Sequence, residues 1–283
     1  SVNPAWGREY ENTRREEKPE HLKKVLVVGG GPSGMEEAMT AARRGHTVIL
    51  CEKSDHLAAN MDYAKFISFK ADLAAFLKSM EINVQRTPNL ELRLNTEVTE
   101  DLIRLEQPDA VIVACGAKPV FPTIPGIDLP IVHHVTDLFR KNLETGHRVV
   151  IIGGGLAGCE EGLNLSWAGK DVTIVEMRDG LAKDAPYIHW RHLREKVSQS
   201  VRSYCSAQVL AIESDGVRVK DARGEEQFLS ADSVLIAAGM YVDTQRFDSW
   251  YDLAEDVIFV GDCLRPGKVM EAMRTGYCAG LTV

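Results

Sequence analysis

The chain has 283 residues, 45% hydrophobic and 26% charged, a length for two domains and a composition that sets aside collagen-like, low-complexity and disordered readings. Its 33 Lys plus Arg against 41 Asp plus Glu leave a net charge of −8, and no basic stripe follows a phosphate backbone, which argues against a nucleic-acid partner. No apolar run reaches the roughly 20 residues that span a bilayer and the opening residues are polar and charged, so no membrane partner is expected and the expected location is cytoplasmic.

Residues 1–21 mix Pro, Gly, Arg and Glu without periodicity and read as an arm or linker, with Trp6 and Tyr10 as anchors. The run Lys23 to Val28 is apolar, β-branched and stopped by glycine, the pattern of a buried parallel strand. Pro32 to Arg44 carries Met35, Ala38, Met39, Ala41 and Ala42 at helical spacing and ends at Gly45; Thr47 to Cys51 is a second strand. Together they make one βαβ unit. A helix through Leu73, Phe76, Leu77 and Met80 follows, then strands over Leu90 to Val98 and Asp109 to Ala114. Pro119, Pro122, Pro125 and Pro130 break the next stretch into loop. The βαβ pattern then returns: Arg148 to Ile152, a glycine cluster, a helix to Ala168, and Val172 to Val175. Gln208 to Ile212, Gly216 to Lys220 and Gln227 to Leu229 read as an antiparallel meander, Ser233 to Ala238 and Val257 to Asp262 as strands, and the segment from Val269 as a helix.

Eight of the 23 glycines sit in two clusters, 29–31 with 34 and 153–155 with 158. Gly29-Gly30-Gly31-Pro32-Ser33-Gly34 satisfies G-x-G-x-x-G between a strand and a helix, where the glycines allow a tight turn, close approach of a pyrophosphate and close helix–strand packing. Glu52 ends the next strand, 52 − 29 = 23 residues on, where an acid accepts hydrogen bonds from a ribose. Gly153-Gly154-Gly155-Leu156-Ala157-Gly158 repeats the motif, with Glu176 at the same offset, 176 − 153 = 23. Two dinucleotide sites in one chain suggest two different dinucleotides, FAD beside a nicotinamide.

The remaining candidates are weak. The cysteines, at 51, 115, 159, 205, 263 and 278, form no C-x-x-C or other close pair, so zinc, iron–sulfur and redox-disulfide readings lack support; Cys51, Cys115 and Cys159 read as small hydrophobes. His189 and His192 are spaced i, i+3 on a helix and could pair as ligands, but without carboxylates or cysteines nearby they read as solvated or core-capping, and His133-His134 reads as loop. The pairs Glu16-Glu17 and Glu225-Glu226 read as solvated surface, and no Ser-His-Asp pattern or nucleophile elbow is present. No catalytic side chain and no metal ligand is named.

The motif order resembles the two-dinucleotide-binding-domain flavoproteins: first glycine cluster, Val113-Ala114-Cys115-Gly116-Ala117 where that group has Ala-Thr-Gly, second cluster, Ala237-Ala238-Gly239, then Val260-Gly261-Asp262. The resemblance covers nearly all of the chain. It implies an α/β fold of two Rossmann-like domains with central parallel sheets, the second inserted in the first. Residues 22–140 plus 243–283 would bind FAD, residues 141–242 NAD(P)H, and Asp262 would hydrogen-bond the ribityl chain. It also implies cofactor contacts at Lys53, Ala59, Val98, Cys115, Gly116, Gly239 and Gly261, beside the two glycine loops and their glutamates.

More narrowly, the opening Ser-Val-Asn-Pro-Ala-Trp-Gly-Arg-Glu, Phe69-Lys70-Ala71-Asp72 and Leu94 to Thr99 resemble the C-terminal part of NADH:flavin oxidoreductases fused to an Old Yellow Enzyme-type barrel, the 2,4-dienoyl-CoA reductase, 2-enoate reductase and trimethylamine dehydrogenase group. There a barrel with FMN and a four-cysteine iron–sulfur cluster precedes this region. The resemblance therefore implies an excised reductase module that passes hydride from NADH to FAD, and whose parent feeds the cluster, the FMN and finally an enoate or enoyl thioester. The barrel is the implied partner.

One departure matters: Leu57-Ala58-Ala59-Asn60 stands where the family has Leu-Gly-Gly against the cofactor. ADP in place of FAD, as in trimethylamine dehydrogenase, is the alternative, and would make the module a non-catalytic docking unit. A free-standing reductase for a small iron–sulfur protein is a third reading, though it would not need the arm. At the second site Glu176 disfavours a 2′-phosphate while Arg178 could bind one, so NADH is expected over NADPH.

Overall fold

The computed structural model describes residues 2–7, 9 and 17–283; Tyr10 and Glu16 lie outside them, and Trp6 is 75% exposed rather than anchored. The chain divides into two compact units, Ser1–Ala64 with Lys70–Lys118 and Tyr241–Val283, and Lys65–Phe69 with Pro119–Met240.

The first unit is built on β1 (Lys24–Val28), α1 (Pro32–Arg43), β2 (Thr47–Cys51), α2 (Ala71–Arg86), β3 (Leu90–Arg93), α3 (Glu100–Glu106) and β4 (Ala110–Val113). It is completed from the far end of the chain by β13 (Asp256–Phe259) and α6 (Val269–Thr282). The strands form one parallel sheet in the order β13-β4-β1-β2-β3. Val25, Leu26 and Val27 are fully buried, as a strand covered on both faces requires. Helix α6 packs on α1 through glycine: a Cβ on Gly276 would stand 2.1 Å from Ser33 O, and one on Gly280 2.7 Å from Thr40 Cβ. Arg44 then caps the end of α6, donating to Gly280 O at 3.1 Å and Val283 O at 2.9 Å.

The second unit repeats the plan with β5 (Val132–His134), β6 (Arg148–Ile152), α4 (Leu156–Trp167), β7 (Asp171–Val175), α5 (Tyr187–Ser200), β8 (Arg202–Tyr204) and β12 (Ser233–Ile236). Its parallel sheet runs β5-β12-β6-β7-β8. The antiparallel meander is β9 (Gln208–Glu213), β10 (Gly216–Lys220) and β11 (Glu226–Ser230), and its inward residues Val217 and Val219 are fully buried.

Three expectations shift. Residues 119–140, assigned by sequence to the first domain, group with the second unit, because Val132–His134 pairs with Val234–Ile236. The strand read over Leu90 to Val98 stops at Arg93, since Asn95 turns left-handed at φ 51° and Thr96 N bonds Glu52 O at 2.9 Å. His133-His134, read as loop, is an edge strand in which His134 is buried.

Candidate functional site

In each unit the strand that leads into the glycine loop is flanked by neighbours reached by connections of opposite sense, β2 and β4 around β1, β7 and β12 around β6. Such a switch point opens a crevice beyond the carboxyl ends of the strands, where open α/β sheets bind ligands. Both glycine loops lie there, directly after β1 and β6.

The loops are near copies in space. Gly29 and Gly153 have φ of 112° and 110°, and a Cβ on either would strike a carbonyl, Ala114 O at 2.5 Å or Ala237 O at 2.3 Å. A Cβ on Gly34 or Gly158 would lie 2.0 Å from the oxygen of the loop's own first glycine; the third glycine lets helix and strand meet. Gly31 N-caps α1 with no side chain bonded to it and nothing within 4 Å of where its Cβ would be. Pro32 opens the helix and Ser33 is buried. The bare amino end of a 12-residue helix is a cradle of N–H donors for an anion.

Glu52 and Glu176, both buried, close their loops identically. Glu52 accepts from Gly30 N at 2.7 Å and Ser54 N at 2.9 Å; Glu176 accepts from Gly154 N at 2.6 Å and Arg178 N at 2.7 Å. Each carboxylate oxygen keeps a lone pair for ribose hydroxyls. The repeat extends further than the sequence reading saw. Leu57 and Leu181 cover the second glycine of each loop, with Cδ2 2.4 Å and 2.5 Å from the Cβ that glycine lacks. Ala58 and Ala182 follow in left-handed backbone, φ 55° and 50°, donating to Gly30 O at 2.9 Å and Gly154 O at 2.7 Å. The alanine standing where Leu-Gly-Gly was expected thus carries a left-handed turn itself. Ala59 is half-buried and Lys53 exposed, while Val98 packs in the apolar layer beneath.

The third motif reaches the first loop through β13. Gly261, at φ 61°, sits where a Cβ would press within 2.4 Å of Ser33 Oγ, and its N–H bonds Thr275 Oγ1 at 2.8 Å. Asp262 is half-buried; burial raises its carboxyl above the ordinary carboxylate range, and Oδ1 accepts from Gly267 N at 3.0 Å. Cys115 and Gly116, just past β4, border the same crevice, and Asn60 Nδ2 stands 3.7 Å from the Cβ position of Gly116.

The second loop differs at its mouth. Asp184 Oδ1 accepts from Leu156 N at 2.8 Å, so a carboxylate caps α4 where α1 has no side-chain cap. Ala157 is exposed beside it, Gly158 is buried, and Gly239 sits beyond β12 in open space at φ 97°. Arg178 is exposed, its Nε 3.6 Å from Glu176 Oε1.

Two further points correct the sequence reading. His189 has a carboxylate neighbour after all, Glu160 Oε1 at 3.2 Å from its Nε2, brought from α4. Among the described residues no group of three or more His, Cys, Asp or Glu is arranged to hold a metal ion, and no helix is long and apolar enough to cross a membrane. Cys115 and Cys263, 148 positions apart by 263 − 115, belong to one apolar layer, and Cys263 Sγ donates to Gly116 O, the carbonyl next to Cys115, at 3.1 Å. Only the pairing of β13 with β4 brings them together, so no local spacing could signal it.

Comparison with known proteins agrees with this geometry. The family model described as pyridine nucleotide-disulphide oxidoreductase matches residues 6–100 and 68–256. Cinnamate reductase of Clostridium sporogenes is 34% identical over 280 residues, covering 98% of this chain and 41% of that protein. NADH oxidase of Thermoanaerobacter brockii is 34% identical over 283 residues, covering 98% and 43%. The chain thus spans about four-tenths of the length of these relatives. Among solved structures, a 2-naphthoyl-CoA reductase complex superposes with a TM-score of 0.94 at 33% identity, over all of this chain and 43% of that one. Thioredoxin reductase of T. acidophilum, at 20% identity and a TM-score of 0.68, shares the fold. The chain is a member of the pyridine nucleotide-disulphide oxidoreductase family and corresponds to the two-dinucleotide flavoprotein module found within larger oxidoreductases.

Proposed function

We propose that the first unit holds FAD and the second NADH, and that the protein carries hydride from the nicotinamide to the flavin. The observation that carries this is the duplicated loop, Gly29–Gly34 with Glu52 and Gly153–Gly158 with Glu176, joined at the first copy alone by Gly261-Asp262. When bound, FAD supplies a two-electron acceptor for a dihydronicotinamide. The chain's own residues bind and orient. The N–H groups of α1 and α4 face pyrophosphates, Glu52 and Glu176 take ribose hydroxyls, and Asp262 takes a hydroxyl of the chain leading to the flavin ring. The reaction asks for alignment of two rings rather than an acid or base, and no side chain is assigned to proton transfer. Glu176, buried and committed to two N–H groups, leaves no room for a 2′-phosphate charge, which favours NADH over NADPH.

Larger relatives named for cinnamate and 2-naphthoyl-CoA support a further step of the proposal. The electrons would leave through an iron–sulfur cluster and FMN in an Old Yellow Enzyme-type barrel, for the conjugated double bond of an enoate or enoyl thioester. The test is an absorption spectrum of the protein reconstituted with FAD, then anaerobic NADH. A flavin band that bleaches supports the proposal; a protein that takes up no FAD, or a bound flavin that NADH leaves oxidised, refutes it. A second reading, ADP held without redox chemistry, is favoured by Asn60 reaching over Gly116. Heat-released nucleotide identified as ADP, from colourless protein, would select it.

A further inference from the structure

The two glycine loops differ in what stands before their helices. A Cβ on Gly31 would meet nothing within 4 Å, whereas one on Gly155 would have Asp184 Oδ1 at 3.4 Å and Oδ2 at 3.8 Å. The same Oδ1 accepts from Leu156 N at 2.8 Å, and no acid of the helix itself lies in the first turn of α4. A carboxylate therefore fills, in the second unit, the space that is open at the bare helix end of the first. The repeat explains why only one copy does this. Counted from the first glycine of each loop, Asp184 stands at 184 − 153 = 31 and its counterpart, at 60 − 29 = 31, is Asn60. Leu156 stands at 156 − 153 = 3 and its counterpart, at 32 − 29 = 3, is Pro32, which has no N–H to donate.

We propose that Asp184 is an internal anion that closes the second nucleotide site while it is empty, so that a dinucleotide binds only from molecules in which this carboxylate has left Leu156 N. The inference rests on the reading of the second unit as the NADH site. A pyrophosphate and the Asp184 carboxylate are both anions and compete for the same N–H group at the same helix end. Asp184 is exposed, while Ala182, two residues earlier, is buried and donates to Gly154 O at 2.7 Å. Rotation of the one side chain thus opens the site without moving the loop. A site that is competent for only part of the time binds more weakly by that fraction, and the loss falls on association, because the cap is gone once the nucleotide is in place. A nicotinamide nucleotide has to leave after each hydride transfer, and a site that refills with its own carboxylate holds it less tightly than an equally built bare one.

The test is stopped-flow binding of NADH to the full chain, followed by its fluorescence, at low salt and at high salt, which screens long-range attraction between charges. With Asp184→Asn the association rate constant at high salt is expected to rise about two- to five-fold, the range of a charge at a helix end, with the dissociation rate unchanged. Asp184→Ala, which leaves no acceptor for Leu156 N, is expected to gain at least as much. ADP-ribose, which carries the pyrophosphate without the nicotinamide, should gain the same factor by competition. Asp179→Asn removes an exposed charge five positions earlier, paired with Lys183, and is expected to leave the high-salt rate unchanged. An association rate that neither Asp184 variant raises at high salt, a gain confined to the dissociation rate, or an equal gain from Asp179→Asn overturns the proposal. A wild-type chain that binds neither NADH nor ADP-ribose refutes the reading of the second unit, and the gate with it.

Discussion

Glu37 lies on the inner side of α1, fully buried, with neither carboxyl oxygen hydrogen-bonded. Burial raises its pKa from 4.5 to about 8. The unfolded chain gives up this proton near 4.5 and the folded chain keeps it to about 8, so between those values the native state binds the extra proton and stability falls as pH rises. At about 1.4 kcal/mol per pH unit, the cost is about 3 kcal/mol at pH 7 and levels off near 5 kcal/mol above pH 8. Glu37→Gln, of the same shape but without a charge to desolvate, removes this dependence. Urea unfolding followed by circular dichroism at pH 5.5, 7 and 8.5 is therefore expected to show the variant more stable by a margin that widens from about 1 to about 5 kcal/mol. Glu37→Met, which also removes the unpaired polar atoms, is expected to exceed Gln at every pH. A gap between wild type and Glu37→Gln that stays constant across the three pH values would refute the reasoning, since only titration of this group makes it grow.

Gly34→Ala places a Cβ 2.0 Å from Gly29 O, a backbone clash expected to cost at least about 3 kcal/mol; calorimetry should show the first unit melting earlier, and nucleotide retention falling with it. Asp184→Asn keeps an acceptor for Leu156 N but removes the charge at the head of α4, where about 0.3–1 kcal/mol of anion binding is at stake. NADH titration by fluorescence should give a Kd roughly two- to five-fold lower, and an unchanged or higher Kd would show that the cap does not compete with the pyrophosphate. Ala58→Gly relieves a left-handed alanine and is expected to be neutral or stabilising by up to about 1 kcal/mol. The same change at Ala41, inside α1, is expected to destabilise by about 1 kcal/mol; paired thermal melts make the comparison.

What was legible in the sequence was what is local. A glycine loop, the helix after it and an acid 23 positions on (52 − 29; 176 − 153) are one contiguous βαβ unit, so spacing alone located both loops and both glutamates. The left-handed alanines were hidden because Ala gives no sign of positive φ; only the hydrogen bonds from Ala58 and Ala182 back to the loops hold them there. Asp184 was missed because it reaches the head of α4 from a loop 28 residues away, and Glu160 because the partner of His189 lies on another helix. The unit boundary misled for a similar reason: a three-residue edge strand, Val132–His134, follows a proline-rich loop and has no pattern of its own. The strand end at Arg93 was overrun because nothing in the sequence marked the left-handed turn at Asn95, and the one at Ile236 because apolar Ala237 and Ala238 follow where pairing has already stopped.

The first sheet takes its last edge strand, Asp256–Phe259, and the helix covering α1 from the end of the chain, whereas every strand of the second sheet lies between 132 and 236. During synthesis the inserted unit can therefore fold while the one that encloses it is still missing a strand and a helix. Until α6 arrives, the length of α1 from Ser33 to Thr40, with the Glu37 carbonyl among the atoms that Gly276 and Gly280 approach, lacks its covering helix. Burial of this face is therefore completed late, when the first sheet closes rather than when it begins.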